Sequence, residues 1–152
     1  MRDPRLVAKI GVSVAALAVS LVTAWEGYKP MVYADPIGRA AVCWGHDDPG
    51  LVRGEIYTRA RCEALLAEDL SKHADALQCV KRPMTDGQKA AFVSFAYNVG
   101  APQFCGSTLV RLANAGDMAG ACAQLDRWVF AGGKRLQGLA NRRAAERKVC
   151  ES

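Results

Sequence analysis

The 152-residue sequence lacks the ligand spacing that is typical of a zinc site. It has only two histidines, and none of its six cysteines belongs to a Cys-x-x-Cys pair, the usual spacing of zinc ligands. It also lacks internal repeats, which excludes a repeat array. Lysines and arginines are nowhere clustered with aromatic residues, so we do not expect nucleic acid as a partner.

Acidic residues are fewer than basic ones. The 15 Asp and Glu against 20 Lys and Arg leave a net charge of +5, which suits an anionic environment such as a cell wall or a membrane surface. Apolar residues make up 51 % of the chain, an ordinary globular composition. The length is sufficient for one domain with a sizeable core.

The six cysteines are an even number. In an exported chain they favour three disulfides formed in an oxidising compartment. Many pairings are possible, and spacing alone does not choose among them. The cysteines are Cys43, Cys62, Cys79, Cys105, Cys122 and Cys150.

The run from Ile10 to Trp25 contains no charged residue, and it follows a basic segment over residues 1–9. This pattern is typical of an export signal or anchor whose N-terminus stays in the cytoplasm. Twenty residues counted from Leu6 just span a hydrocarbon core of about 30 Å. Half of the run is Gly, Ala, Ser or Thr, so lipid holds it only weakly.

Three interpretations of this segment are open. One is a cleaved secretory signal, since Val22-Thr23-Ala24 satisfies the small-residue rule for a cut before Trp25. A second is a permanent anchor, which the weak hydrophobicity disfavours. A third is a reversible signal anchor that leaves the bilayer and packs as a helix against the domain. We favour the third, because cleavage would leave Glu26 on a frayed terminus.

The rest of the chain predicts an α+β fold that is mostly helical. Met31 to Gly45 is rich in Gly, Pro and β-branched residues, which indicates a small hairpin or a three-stranded sheet. Thr58 is a plausible N-cap for a long helix to about Val80. A Thr85–Gln88 capping box then precedes an apolar helix to Val99, which we expect to be buried and central.

Three further helices are expected near the C-terminus. Ser107 and Asp117 are suitable caps for the first two, and the second is predicted to carry Trp128. Gly132-Gly133 is expected to break that helix, and the last helix is predicted over residues 137–150.

Glu26 and Asp35 stand on either side of the turn-rich segment that follows the apolar run. Two carboxyl groups held at a fixed separation across a cleft are the machinery of glycosidic bond cleavage. Glu26 directly follows the last residue of the apolar run, which suggests that catalysis and membrane insertion are coupled.

These residues resemble the phage-type lysozymes, glycoside hydrolase family 24. The family pattern is Glu, eight residues, Asp, five residues, Thr, then Gly-x-Gly-His; here Glu26 and Asp35 are followed by Cys43-Trp44-Gly45-His46. The resemblance covers about residues 25 to 150. Its further segments are Ser94–Gly100, Ser107–Leu109, Arg127–Lys134, Gly138–Leu139, Arg142–Arg143 and Glu146–Arg147.

The resemblance implies a lysozyme catalytic domain over residues 26–152, with a small N-terminal sheet lobe and a larger helical lobe. Residues 1–25 look like a signal-arrest-release segment. The implied enzyme is an endolysin, a muramidase that hydrolyses the MurNAc–GlcNAc β-1,4 bond of peptidoglycan for host cell lysis. It would be tethered to the inner membrane through residues 6–25, inactive until released into the periplasm of a Gram-negative host. We expect a monomer that needs no cofactor.

The resemblance also implies roles in catalysis. Glu26 would be the general acid, kept neutral near pH 7 by partial burial beside apolar groups such as Trp25. Asp35 would stay ionised and steer a water to the anomeric carbon. Ala41 stands where the family has Thr, whose hydroxyl helps to hold that water. The expected consequence is reduced or lost activity.

Other positions have expected contacts. Tyr33 and Asn98 are candidates for substrate binding, although Asn98 is equally suited to capping its helix. We expect His46 to be structural, closing the small lobe on the helices. Asp47 and Asp48 read as solvated loop charges.

Arg142 and Arg143 are spaced to pair with Glu146 across one helical turn. The resemblance implies that one of the two also reaches Glu26. Among the possible disulfides, we favour three that tie neighbouring elements together. These are Cys43–Cys62, Cys79–Cys105 and Cys122–Cys150.

The N-terminal segment contains no cysteine, so thiol exchange does not suit its release. Control is expected to be steric, because Glu26 stays at the membrane face while the segment lies in lipid. Two other functions stay open. One is a catalytically impaired variant that binds cell wall without turnover, since Ala41 lacks the hydroxyl. The other is a lytic transglycosylase, which needs no water.

Overall fold

The computed structural model describes residues 3–152, which form eight α-helices, two short 3₁₀ helices and two small sheets. The N-terminal part comprises α1 (Pro4–Ile10), α2 (Val12–Glu26), β1 (Lys29–Ala34), β2 (Ala40–Cys43) and β3 (His46–Asp47). The helical part comprises α3 (Arg59–Ala74), α4 (Asp86–Val99), α5 (Ala101–Cys105), α6 (Thr108–Asn114), α7 (Met118–Gln124) and α8 (Gln137–Cys150). Between α7 and α8 lie β4 (Phe130–Ala131) and β5 (Lys134–Arg135).

The small lobe is a three-stranded antiparallel sheet in the order β1-β2-β3, the second of the two forms predicted for residues 31–45, and it extends beyond those bounds from Lys29 to Asp47. Tyr33 lies opposite Ala41 on the neighbouring strand, and Ala41 also lies opposite Asp47 on the third. Residues directly opposite each other project from the same face of a sheet. The register therefore places these three side chains on one face.

Helix α4 is the buried central helix that its apolar sequence predicts. The Thr85–Gln88 capping box is formed at its start, and Gly100 follows its last residue. Phe92, Val93 and Phe95 are fully buried, and α4 packs against both α2 and α8. Those two neighbours carry Glu26 and the Arg142–Arg143 pair, so α4 fixes their relative positions.

The N-terminal segment is divided into two helices at Gly11, which has a φ of +86°. The axes of α1 and α2 differ in direction by 112°. Helix α1 lies on α3, and α2 lies on α4, so that Leu6, Ala18 and Val22 are buried in the core. Within residues 3–152, no single helix is long and apolar enough to cross a membrane. Helices α1 and α2 together have the length and the apolar composition of a membrane span, although they are bent relative to each other.

The three favoured disulfide pairings are confirmed. Cys43–Cys62, Cys79–Cys105 and Cys122–Cys150 are bonded, with Cα–Cα distances of 5.2, 5.5 and 5.8 Å. The first ties the sheet to α3, the second brackets α4, and the third joins α7 to α8. Each closes a loop of about 20 to 30 residues, a length for which a disulfide contributes about 3 kcal/mol of stability.

Two predicted helices have different bounds. The helix capped by Thr58 ends at Ala74 and continues as a 3₁₀ turn over Asp75–Cys79. The helix expected to carry Trp128 ends at Gln124.

Gly132-Gly133 was expected to break that helix. In the structure the two glycines form the two-residue turn of the β4–β5 hairpin, with φ values of +57° and +76°. Positive φ at both central positions is what such a hairpin turn requires.

Candidate active site

Glu26 is the last residue of α2, and the packing of α2 on α4 sets its position. Its Oε1 accepts a hydrogen bond from the Arg142 guanidinium at 2.5 Å. Its Oε2 lies close to Gly45, where an added Cβ would stand 3.2 Å from that oxygen. Gly45 therefore leaves room for the acid. Trp25 was expected to shield Glu26 from water, but it is 39 % exposed. The group that contacts the Glu26 carboxyl is the Arg142 guanidinium.

Arg142 belongs to a buried ionic network on α8. Its Nε donates to Glu146 Oε1 at 3.1 Å, and Ser94 Oγ donates to the same oxygen at 2.7 Å. Arg143 donates to the other oxygen of Glu146, so one buried carboxylate is shared by two guanidinium groups. The pair of arginines leaves one positive charge uncompensated by Glu146. The carboxyl group of Glu26 lies beside this excess charge and accepts a hydrogen bond from Arg142.

Asp35 follows β1 and closes the turn into β2. Its Oδ1 accepts the backbone N–H groups of Ile37 at 3.0 Å and Arg39 at 2.8 Å, and Arg39 Nε lies 3.4 Å from Oδ2. Desolvation raises the pKa of Asp35, but these backbone hydrogen bonds and the Arg39 guanidinium together hold it below its ordinary value. Asp35 is therefore ionised at neutral pH.

Glu26 and Asp35 line one polar cleft of about 280 Å³. The cleft also contains Tyr33, Ala41 and Asn98, so the structure brings together all the residues that the sequence proposed for chemistry or substrate binding. Ala41 contributes a methyl group to the wall. Tyr33 has its pKa raised by burial and by the negative charges of Glu26 and Asp35. Four further lining residues were not assigned to the site from the sequence: Arg39, Gly45, Asp47 and Tyr97.

Two lining residues on α4, Tyr97 and Asn98, support the walls of the cleft. Tyr97 donates from its hydroxyl to the Trp44 carbonyl at 2.6 Å, which ties α4 to the β2–β3 turn, and burial raises the pKa of Tyr97. Asn98 accepts from Arg143 through its side-chain oxygen, so it links the cleft to the buried network. Tyr97 and Asn98 are neighbours in the segment over residues 94–100, which was part of the family resemblance. That resemblance was the feature of the sequence from which Tyr97 could have been assigned to the site.

His46 and Asp47 diverge in position although they are adjacent. His46 Nδ1 lies 2.8 Å from Asp69 Oδ2, which joins β3 to α3 away from the cleft. The hydrogen bond to Asp69 raises the pKa of His46, against the opposing effect of burial. Asp47 was expected to be a solvated loop charge, yet it lies on β3 and lines the cleft. A change of side is inherent in a strand, where successive side chains alternate.

A small sheet lobe, a helical lobe and two carboxyl groups facing one cleft define a glycosidase of the lysozyme type. The Phage lysozyme family profile matches residues 23–146. This chain belongs to the phage lysozyme family.

Known endolysins are similar in sequence to most of this chain. It is 44 % identical over 126 residues to the SAR-endolysin of Bacteriophage PS119, covering 82 % of this chain and 75 % of that protein. It is 41 % identical over 150 residues to the SAR-endolysin of Enterobacteria phage PA-2, covering 94 % and 91 % respectively. Among solved structures, the muramidase domain of SpmX from Asticaccaulis excentricus matches with a TM-score of 0.82 at 30 % identity, covering 89 % of this chain and 95 % of that one.

Proposed function

We propose that this lysozyme is a signal-arrest-release endolysin that hydrolyses the MurNAc–GlcNAc β-1,4 bond of peptidoglycan. One observation carries the proposal: Glu26, at the end of the helix formed by the apolar N-terminal run, faces the same cleft as Asp35. A membrane segment and an acid on one helix link the location of the segment to the completeness of the site.

In the proposed reaction Glu26 is the general acid and Asp35 the base. Arg142 holds Oε1 of Glu26, so the transferred proton sits on Oε2, the oxygen nearer to Gly45 and the cleft. Glu26 gives this proton to the glycosidic oxygen as the bond to the anomeric carbon breaks. Asp35 takes a proton from the attacking water and its charge stabilises the oxocarbenium-like transition state.

Before release, residues 6–25 lie in the inner membrane and the catalytic domain, residues 26–152, stays in the periplasm without its acid in place. On release, the segment folds as α1 and α2 and the enzyme acts as a periplasmic monomer. The small side chains that weaken the hold of lipid are also those that allow α2 to approach α4 closely, as with Ala15 and Ala18. Val12 and Leu17 stay exposed, which fits a segment that is also compatible with lipid.

The proposed acid is tested by clearing of outer-membrane-permeabilised Gram-negative cells. We expect the purified chain to lyse the cells, Glu26→Gln to abolish lysis, and Glu68→Gln, an exposed glutamate on α3, to leave it unchanged. Failure of both this chain and Ala41→Thr to clear cells would overturn the proposal.

Product analysis separates hydrolysis from the transglycosylase alternative. A hydrolase leaves reducing ends, whereas a transglycosylase leaves anhydro sugars. Binding of the chain to purified peptidoglycan without any product would identify a wall-binding protein that has lost turnover.

A further inference from the structure

The cleft contains a methyl group at the position where the family pattern has a hydroxyl. Ala41 lies on β2 within the cleft wall and offers no hydrogen bond to a water. Asp35 offers that water mainly its Oδ2, because its Oδ1 already accepts two backbone N–H groups. One acceptor fixes the position of a water but leaves it free to rotate, so a second acceptor beside Asp35 would orient the nucleophile.

Asp47 lies directly opposite Ala41 in the β2–β3 register. Opposite residues on antiparallel strands have Cβ atoms about 5 Å apart on the same face. Ala41 and Asp47 line the same cleft, in agreement with that geometry. The carboxylate of Asp47 therefore projects beside the methyl group of Ala41.

Arg39 places the carboxylates of Asp47 and Asp35 next to each other. Its Nη1 lies 3.5 Å from Asp47 Oδ2, and its Nε lies 3.4 Å from Asp35 Oδ2. One guanidinium thus bridges the two and offsets their repulsion. The Asp47 side chain is 54 % exposed, so one of its oxygens is accessible to a water in the cleft.

We infer that Asp47 is a water-positioning residue that takes over the role of the missing hydroxyl in this enzyme. The inference rests on the proposed roles of Glu26 and Asp35. The attacking water donates one hydrogen bond to Asp47 and the other to Asp35. Its oxygen bonds to the anomeric carbon, the glycosidic bond breaks, Glu26 protonates the leaving oxygen, and Asp35 receives the proton of the water. Asp47 is unchanged at the end of the reaction.

A double-mutant cycle between Asp47 and Ala41 tests this role. Steady-state kcat and KM on purified peptidoglycan are measured for the chain, Asp47→Ala, Ala41→Thr and the double variant. We expect Asp47→Ala to lower kcat by about 10- to 100-fold with little change in KM. In the Ala41→Thr background, the same change is expected to cost less than about 3-fold, because the hydroxyl again holds the water.

Two variants control for structure. Asp47→Asn keeps an acceptor oxygen at the same place and is expected to retain most of the activity. Asp48→Asn alters the neighbouring exposed carboxylate and is expected to change nothing. Thermal melting of every variant shows whether an activity loss comes from unfolding.

Equal losses from Asp47→Ala in both backgrounds, or a change confined to KM, would overturn the inference and leave Asp47 with a structural or substrate-binding role. Full activity of Asp47→Ala would also overturn the inference. The proposed function would still stand in that case if Glu26→Gln abolished activity. An inactive chain rescued by Ala41→Thr would show that Asp47 does not replace the hydroxyl. Inactivity of both would reject the proposed function together with this inference.

Discussion

The arrangement of the side chains around Glu26 depends on the buried guanidinium group of Arg142. Arg142 is 4 % exposed and touches Glu26, Glu146 and the Ser94 carbonyl with three different nitrogens. A planar guanidinium offers donors in a fixed fork, whereas an ammonium is a single point charge. Arg142 is therefore the geometric support of the proposed acid.

Arg142→Lys is expected to keep the charge but lose the bridging geometry. We predict a fall in kcat of about 10-fold or more, with destabilisation of about 1–3 kcal/mol from unmade buried hydrogen bonds. Lysis rates and thermal unfolding measure the two effects separately. Arg111→Lys, an exposed position on α6, is the matched control and should change neither. Wild-type kcat in Arg142→Lys would remove Arg142 from the positioning of Glu26.

At the scale of secondary-structure elements, the junction between β3 and α3 depends on His46 and Asp69. Because the pKa of His46 is raised in the folded protein, protonation of His46 stabilises the fold. This stabilisation is fully present below the ordinary value of 6.5 and is lost as pH rises through the higher, folded value.

Asp69→Asn removes the charge that raises the pKa of His46. We predict that the variant is destabilised most at pH 5 to 6 and that its deficit shrinks as the pH rises through the folded pKa of the wild-type histidine. Urea unfolding across that range measures the effect. A deficit independent of pH would show that the contact stabilises the fold through packing alone.

Helix α2 has to satisfy two environments with one sequence. Ala18 is buried where α2 packs on its neighbours, whereas Ala16 lies on the exposed side of the same helix. A leucine at either position adds the same hydrophobicity in lipid, but only the leucine at position 18 overpacks the folded protein.

We predict that Ala16→Leu and Ala18→Leu both increase membrane retention, and that Ala18→Leu does so more, because it also destabilises the released fold. Only Ala18→Leu should lower the stability of the released enzyme, by about 1–3 kcal/mol. Membrane fractionation and thermal unfolding give the two measurements. Equal stability of the two variants would mean that α2 does not pack on α4 in the released enzyme as it does here.

At the scale of the whole molecule, the N-terminal segment is part of the core. Leu6, Val14, Ala18 and Val22 are within the cluster that also contains residues of the sheet and of α3 and α4. Removal of the segment would leave this core open and would leave Glu26 at a loose chain end.

A variant lacking residues 2–24 is predicted to show no lysis and a markedly lower melting temperature. The control is the full chain, purified after release from the membrane and assayed at the same concentration. Full activity in the shortened variant would contradict the proposal that docking of α2 completes the site.

Local signals in the sequence determined much of the architecture. Side chains at Thr58, Thr85, Ser107 and Asp117 accept backbone N–H groups at the starts of their helices. The apolar run of α4 was sufficient to predict its burial, because a helix that is apolar on all sides has no stable exposed face. Glu26 and Asp35 were recognisable because their separation along the chain is short and characteristic.

Only the tertiary structure decided which distant groups meet in the cleft. Glu26 and Arg142 are 116 positions apart, and their contact depends on how α2 and α8 pack against α4. Asp47 entered the site through the register of β2 and β3, since a shift of one residue would turn its side chain to the other face. Motifs and caps depend on neighbours in the chain, so the sequence by itself specified them. Long-range ion pairs and strand register arise when the whole core packs, and only the fold determined them.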